Sequence, residues 1–216
     1  LMLMSAPIPA GIIIIVGIVL FITFFKTERK KAENTLGEQS CLTALGADVG
    51  VALIQHGNLR DILQKCAEAL VKNLDVSFAR IWTFNKETNM LELQSSAGIY
   101  THTDSQHSRI PVGMFKVGLI AEERKPYLTN SVIGDPKVPD QEWARQAGMV
   151  SYAGYPLTVD NRLVGVMAIF AQKPLTEITL KALASVSDSI ARGIERKQME
   201  EEQNALREQL YHSQKL

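Results

Sequence analysis

Two cysteines and four histidines are the residues from which redox, metal or acid–base chemistry would have to be built in this chain. Cys41 and Cys66 form no Cys-x-x-Cys pair and no zinc-ligand spacing. Cys66 falls on an apolar helical stripe, where a thiol packs as a small hydrophobe. His102 and His107 flank Asp104 in one polar loop. A metal needs a further ligand and a rigid frame, and this loop offers neither, so a solvated loop is the expectation. His56 precedes a helix break and reads as a surface residue. His212 lies in a Tyr-His-Ser context near the end of the chain. No Ser sits in a Gly-x-Ser-x-Gly turn, and no glycine-rich phosphate loop occurs. Neither a catalytic residue nor a metal site is expected.

The elements that carry these residues follow from composition and periodicity. Hydrophobic residues make up 46% and charged residues 21%, enough to bury a core. Lys plus Arg is 23 and Asp plus Glu is 23, so no overall basic field gathers nucleic acid. Too few cysteines for a disulfide scaffold suit a reducing compartment.

Residues Leu1 to Phe25 contain no charged side chain. A helix rises about 1.5 Å per residue, so about 20 residues cross the hydrocarbon of a bilayer. Ile and Val disfavour a water-soluble helix, but in lipid only a helix satisfies its own backbone. Lys26, Arg29, Lys30 and Lys31 follow at once and put that side in the cytoplasm. A cleaved signal peptide would carry its basic residues before the apolar run. The expectation is a transmembrane helix at 1–25, a lipid-bilayer partner, a location in the inner (cell) membrane and a polar helical connector at 26–41. Leu1 is no initiator residue, so a longer protein is expected.

Leu42, Leu45, Val49, Leu53 and Ile54 repeat at helical spacing, and Gly57-Asn58 breaks the pattern. Leu59, Ile62, Leu63, Cys66, Leu70 and Val71 then form one face of a second helix, with Asn58 as its cap. Strands over 76–84 and 90–96 make a hairpin around Asn85–Asn89. Residues 98–109 read as irregular. A short helix follows at 114–124, a short strand at 127–130 and a helix near 141–147, capped by Asp140 and stopped by Gly148. Strands over 150–159 and 163–171 make a second hairpin around Asp160-Asn161. Thr176 opens a helix that runs towards Leu216, longer than a small domain's core requires. Strands grouped in hairpins imply an antiparallel sheet with helices on its faces, an α+β fold.

Several stretches, in order, resemble a GAF sensory domain over 42–173. They are Ala79-Arg-Ile-Trp-Thr-Phe84, Leu91-Glu-Leu-Gln-Ser-Ser-Ala-Gly98 and the Gly-x4-Gly-x-Ile-Ala pattern of Gly113, Gly118, Ile120 and Ala121. Lys125-Pro126, Tyr155-Pro-Leu157 and Arg162-Leu-Val-Gly-Val-Met-Ala168 complete the set. The stretch from Glu200 to Leu216 is similar to the helix that enters the phosphoacceptor domain of bacterial sensor histidine kinases. That family's Ala-His-Asp or Ala-His-Glu box is absent, as are its nucleotide-binding boxes, so His212 is not the expected phosphoacceptor. The resemblance implies the membrane-bound sensory portion of a two-component protein. The response regulator and the ATP-dependent kinase domain then lie outside these residues, and the chain itself needs no cofactor.

The resemblance also implies a pocket between the sheet and the two short helices. Trp82, Tyr100, Phe115, Trp143, Tyr152 and Met167 are its expected lining for an unidentified small molecule, unless they simply fill the core. Neither cysteine stands where bilin-binding relatives attach a chromophore, and the Asn-Lys-x-Asp-Glu signature of cyclic-nucleotide binders is missing. In the final helix, 174–216, Leu183, Val186, Ile190 and Ile194 form a seam for a second copy, a homodimer. Beyond Lys197 it resumes in a shifted register through Met199, Gln203, Leu206 and Leu210, with Leu206 and Leu210 as further dimer contacts. Rival readings are the input domain of a diguanylate cyclase or other output, a ligand-free dimerisation domain, and a free-standing reductase of methionine sulfoxide. The last requires closely placed redox cysteines.

Overall fold

The computed structural model describes residues 10–101, 103, 107–136, 138 and 141–213. Before residue 39 its side chains are described at 21, 22, 24–29 and 37. The caps and loop positions expected at Asp104 and Asp140 lie outside the described residues.

The first helix is α1 (Ala10–Ile54). Residues up to Ser40 form one compact unit, and Cys41–Leu216 form another. In the first unit Phe21, Ile22, Phe24 and Phe25 are exposed, and the rings of Phe21 and Phe25 lie 4.6 Å apart. Among the described residues no helix is long and apolar enough to cross a membrane. The span expected at 1–25 falls largely outside them: residues 1–9 entirely, and the side chains of 10–20 and 23.

The second unit is built on one six-stranded antiparallel sheet, ordered β3-β2-β1-β6-β5-β4. Its strands are β1 (Phe78–Asn85), β2 (Met90–Gly98), β3 (Arg109–Pro111), β4 (Tyr127–Thr129), β5 (Ser151–Val159) and β6 (Arg162–Ala171). Asn85 Oδ1 accepts from the Glu87 and Thr88 amides and so closes the first hairpin. Asp160 and Asn161 take φ of 47° and 64°, the consecutive left-handed pair of a type I′ turn, which matches the strand twist of the second. The three-residue β3, paired with β2 through Ile110 opposite Leu91, begins at the last residue of the stretch read as irregular and is not among the expected strands. It is too short, and too close to Pro111, to show an alternation.

Strand alternation divides the buried side chains between two faces. Along β1, Ala79 and Ile81 join one core, while Phe78 and Trp82 join the other. The first core is covered by the end of α1 (Leu45, Val49, Leu53), by α2 (Leu59–Leu74) and by α5 (Glu177–Ser213). Asn58 caps α2 as its sequence requires, accepting from the Asp61 amide at 2.8 Å. Gly193 lets α5 approach α1, because a Cβ there would stand 2.5 Å from Leu53 Cδ2. Arg196 Nη2 donates to the Leu53 carbonyl at 2.6 Å and satisfies an end of α1 that its own helix cannot. The second core is covered by α3 (Phe115–Glu123), by α4 (Gln141–Gln146) and by the loop between β4 and α4.

One expectation is corrected here. Leu183, Val186, Ile190 and Ile194 are 0, 2, 0 and 0% exposed, buried against the chain's own sheet and helices. A second copy cannot reach them without displacing that core. Their 3–4 spacing is that of a helix lying on a sheet, and periodicity alone does not separate it from a coiled-coil seam. Leu206 and Leu210, in the same helix, are exposed at 56 and 54%.

Candidate functional site

The face of the sheet under α3 and α4 carries the polar and aromatic groups. Its cover begins at β3, where the chain must turn sharply into α3. Gly113 takes φ +84°, and its amide donates to the Gly118 carbonyl at 2.9 Å. A Cβ on Gly118 would stand 2.5 Å from the Pro111 carbonyl oxygen, so only glycine permits this approach. Phe115, at the start of α3, is held at φ +55°, an uncommon conformation for a bulky residue. Gln141, at the start of α4, organises the loop before it. Its Nε2 donates to the carbonyls of Val132, Asp135 and Val138 at 2.8–3.3 Å, and its Oε1 accepts from Gly134.

That loop is fastened to α3 by a buried ion pair. Lys116 Nζ lies 2.7 Å from Asp135 Oδ2 and 2.6 Å from Tyr127 Oη, with side chains 7% and 13% exposed for the Lys and Asp. Burial works against the ammonium charge. The hydrogen bonds from Lys116 to Asp135 and Tyr127 outweigh it, and the Lys116 pKa rises above its usual value. Tyr152 lies nearby on β5, its ring 6.4 Å from that of Tyr127. Its hydroxyl is buried with no hydrogen-bond partner among the described residues, and burial pushes its pKa up.

An aromatic cluster fills the other end of this face. Phe78 stacks on Phe170 at 4.7 Å and meets Tyr100 and Trp143 edge-on at 5.4 and 5.9 Å. Tyr152 abuts Phe170 at 4.8 Å. Trp82 is buried, and its Nε1 donates to the His107 carbonyl at 3.2 Å. Arg80, the inward residue between Phe78 and Trp82, is half-buried with its guanidinium 5.3 Å from the Phe78 ring centre. Its Nε donates to Ser96 Oγ at 3.2 Å, and desolvation lowers its pKa.

Of the expected pocket residues, Trp82, Tyr100, Phe115, Trp143 and Tyr152 share this face. Met167 does not: it is buried on the opposite face with Ile81, Leu157 and Ile169. The odd–even alternation of β6 sends its neighbours Val166 and Ala168 to the aromatic side instead. Sequence reasoning missed Arg80, Lys116, Tyr127 and Asp135. For Arg80 the signal was present, a cation at an inward position of the apolar strand Ala79-Arg80-Ile81-Trp82. The Lys116–Asp135 pair joins elements distant in the chain and left no local signature.

Neither cysteine is placed for redox chemistry. Cys66 is fully buried, and desolvation pushes its thiol up to about 12. Cys41 Sγ donates to the Asn73 carbonyl at 3.0 Å. Among the described residues no group of three His, Cys, Asp or Glu side chains could hold a metal ion. The loop holding His102 and Asp104 lies partly outside them.

Residues 56–195 match the family model described as GAF domain. The fold is similar to the GAF domain of a phosphoenolpyruvate-protein phosphotransferase from Coxiella burnetii, with TM-score 0.66 and 15% identity over 77% of this chain and 98% of that one. The corresponding domain from Acinetobacter gives TM-score 0.60 at 14% identity, covering 75% and 95%. Free methionine-R-sulfoxide reductase from Neisseria meningitidis, solved in complex with its substrate, gives TM-score 0.60 at 16% identity, covering 72% and 89%. At these identities the likeness concerns the fold alone. No curated protein matches the chain by sequence.

Proposed function

The chain belongs to the GAF domain family, a family of signalling and sensor domains, and on that premise we propose that it is the membrane-anchored sensor module of a two-component histidine kinase. The observation that carries this reading is the second half of α5. Its last buried residue is Ile194, yet the helix continues to Ser213. None of the nineteen further residues is buried. Among the described residues, only Glu195 and Arg196 at their start are bonded to the domain, to Arg162 and to the Leu53 carbonyl, as expected of a helix that passes a change onward to an output domain.

In this reading the domain is cytoplasmic and the apolar run before Lys26 holds it at the inner membrane. Exposed Phe21, Ile22, Phe24 and Phe25 favour a lipid environment for the end of that run. The chain acts as a homodimer joined beyond Ile194 through Met199, Leu206 and Leu210. A small molecule held on the aromatic face biases two packings of the paired helices, and the kinase reads that bias. Catalysis, ATP and the response regulator belong to the output half. Reductase chemistry is disfavoured because Cys66 is sealed in the core.

The experiment joins the chain after Ser213 to the dimerisation and catalytic domains of a histidine kinase. Insertions of one to four residues at the joint should switch autophosphorylation on and off with helical period. Activity indifferent to the insertions overturns the relay. Resistance of the chain to alkaline carbonate extraction tests the anchor, and complete release sinks it.

A further inference from the structure

Among the described inward groups of the sensory face, Arg80 has no carboxylate partner. Lys116 is committed to Asp135 and Tyr127. Arg80 is not so committed. Its one hydrogen bond among the described residues runs from Nε to Ser96 Oγ, which leaves both Nη nitrogens unbonded. No carboxylate among the described residues pairs with it. Ser96 Oγ in turn donates to the Tyr100 carbonyl at 2.6 Å, so the guanidinium is fixed against two strands and the start of the following loop. An exposed arginine needs no partner. This one is half-buried in the middle of the central strand, in a position that alternation would give to an apolar side chain.

We propose that the Nη groups of Arg80 bind the carboxylate of a small organic monoacid, whose apolar body lies against the half-buried Tyr100, Trp143 and Phe170. The guanidinium fork matches the two oxygens of a carboxylate. The aromatic rings beside it supply the apolar walls that small-molecule sites use, with one polar group fixing orientation. A single unpaired cation balances a single negative charge. A phosphate dianion would call for a second cation or a glycine-rich cradle, and among the described residues the contacts of Arg80 include neither. Desolvation already weakens the charged state of Arg80, and an arriving anion relieves that cost. This inference rests on reading the aromatic face as the sensory site and names the class of molecule it takes.

The test uses the 216-residue chain in neutral detergent micelles. Acetate, benzoate and phenylacetate are titrated beside acetamide, benzamide and phenylacetamide, which keep the shape and remove the charge. Binding is read from tryptophan fluorescence, to which Trp143 contributes, and from the Arg80 side-chain NMR signals. Benzoate or phenylacetate should bind at least ~10-fold more tightly than its amide, with the Arg80 signals shifting. Arg80→Gln should erase the acid-over-amide preference, and Arg80→Lys should restore part of it. Acid and amide binding equally well in the parent chain overturns the role of Arg80 and leaves the sensory site standing. No response to any probe up to about 10 mM overturns both. The preference is measured in the parent chain alone, so a variant that fails to fold does not shelter the proposal.

Discussion

The two faces of one sheet are built from the same strands and have opposite characters. The face under α1, α2 and α5 is covered by aliphatic side chains, with Leu45, Leu63, Leu70, Leu183 and Ile190 fully buried. The face under α3 and α4 holds the aromatic cluster, the Lys116–Asp135 pair and, with no hydrogen-bond or carboxylate partner respectively among the described residues, the Tyr152 hydroxyl and Arg80. Alternation along β1 makes this division within one strand, since Ile81 faces the first and Arg80 the second. The aliphatic face follows the simplest rule of folding, burial of apolar area, with the buried Ser95 hydroxyl opposite Ile81 as an exception. The aromatic face departs from it at four polar side chains, and each departure costs stability unless it is compensated. Selection for stability alone would not assemble that second face.

If that contrast holds, truncation on the aliphatic face should do the greatest damage. Leu183→Ala deletes a fully buried side chain and leaves a cavity against the sheet. It should lower unfolding free energy by about 3–5 kcal/mol in urea titrations, without changing the subunit association. A folded monomer with near-native stability would return Leu183 to a subunit interface.

Breaking the buried ion pair comes next. Lys116→Met removes the ammonium that faces Asp135 in a nearly dry site and should cost about 3 kcal/mol. Lys116→Met with Asp135→Leu should recover most of that loss. The pair has a pH signature. The folded Lys116 pKa lies above its ordinary value of 10.5, so its stabilisation is fully present below 10.5 and is lost as pH rises through the folded value. The stability gap between parent and Lys116→Met should therefore narrow in alkaline buffer. A gap independent of pH would mean that the charge contributes nothing.

A smaller effect of opposite sign is expected at Tyr152. Its hydroxyl is buried with no partner among the described residues, so Tyr152→Phe removes a desolvation cost and nothing else. The variant should be as stable as the parent or more stable, by up to about 1–2 kcal/mol in thermal unfolding. A clear loss would reveal that this hydroxyl has a bond to something not seen here.

Local signals were the legible ones. The two hairpins, the Asn58 cap and the helix at the end of the chain each declare themselves within a few residues, and all are present. Five aromatic residues could be placed on one face because the resemblance to a GAF domain orders the strands. The sixth, Met167, failed on strand parity: near the bulge between Leu157 and Thr158 a shift of one residue exchanges the faces. The Lys116–Asp135 pair was invisible because only the folded chain brings those residues together. The seam through Leu183 and Ile190 was misassigned for a deeper reason. A helix on a sheet and a helix on its own copy ask for the same apolar repeat, and only the partner distinguishes them.

That ambiguity leads to the smallest expected change in stability. Beyond Ile194 α5 has no buried residue, yet Met199, Leu206 and Leu210 keep an apolar stripe, exposed at 57, 56 and 54%. Taking Gln203 and Leu210 as equivalent positions with Leu206 between them puts Glu202 and Arg207 on the flanks, five residues apart. In a parallel pair, each glutamate then faces the other chain's arginine. Leu206→Asp with Leu210→Asp removes the stripe without touching the domain. Its unfolding free energy should stay within about 0.5 kcal/mol of the parent, while sedimentation should show dimers replaced by monomers. Unchanged association with both aspartates in place would move the contact back onto the domain. Loss of domain stability would mean that the tail packs on its own sheet after all, and the division of α5 into a core half and a relay half would fail with it.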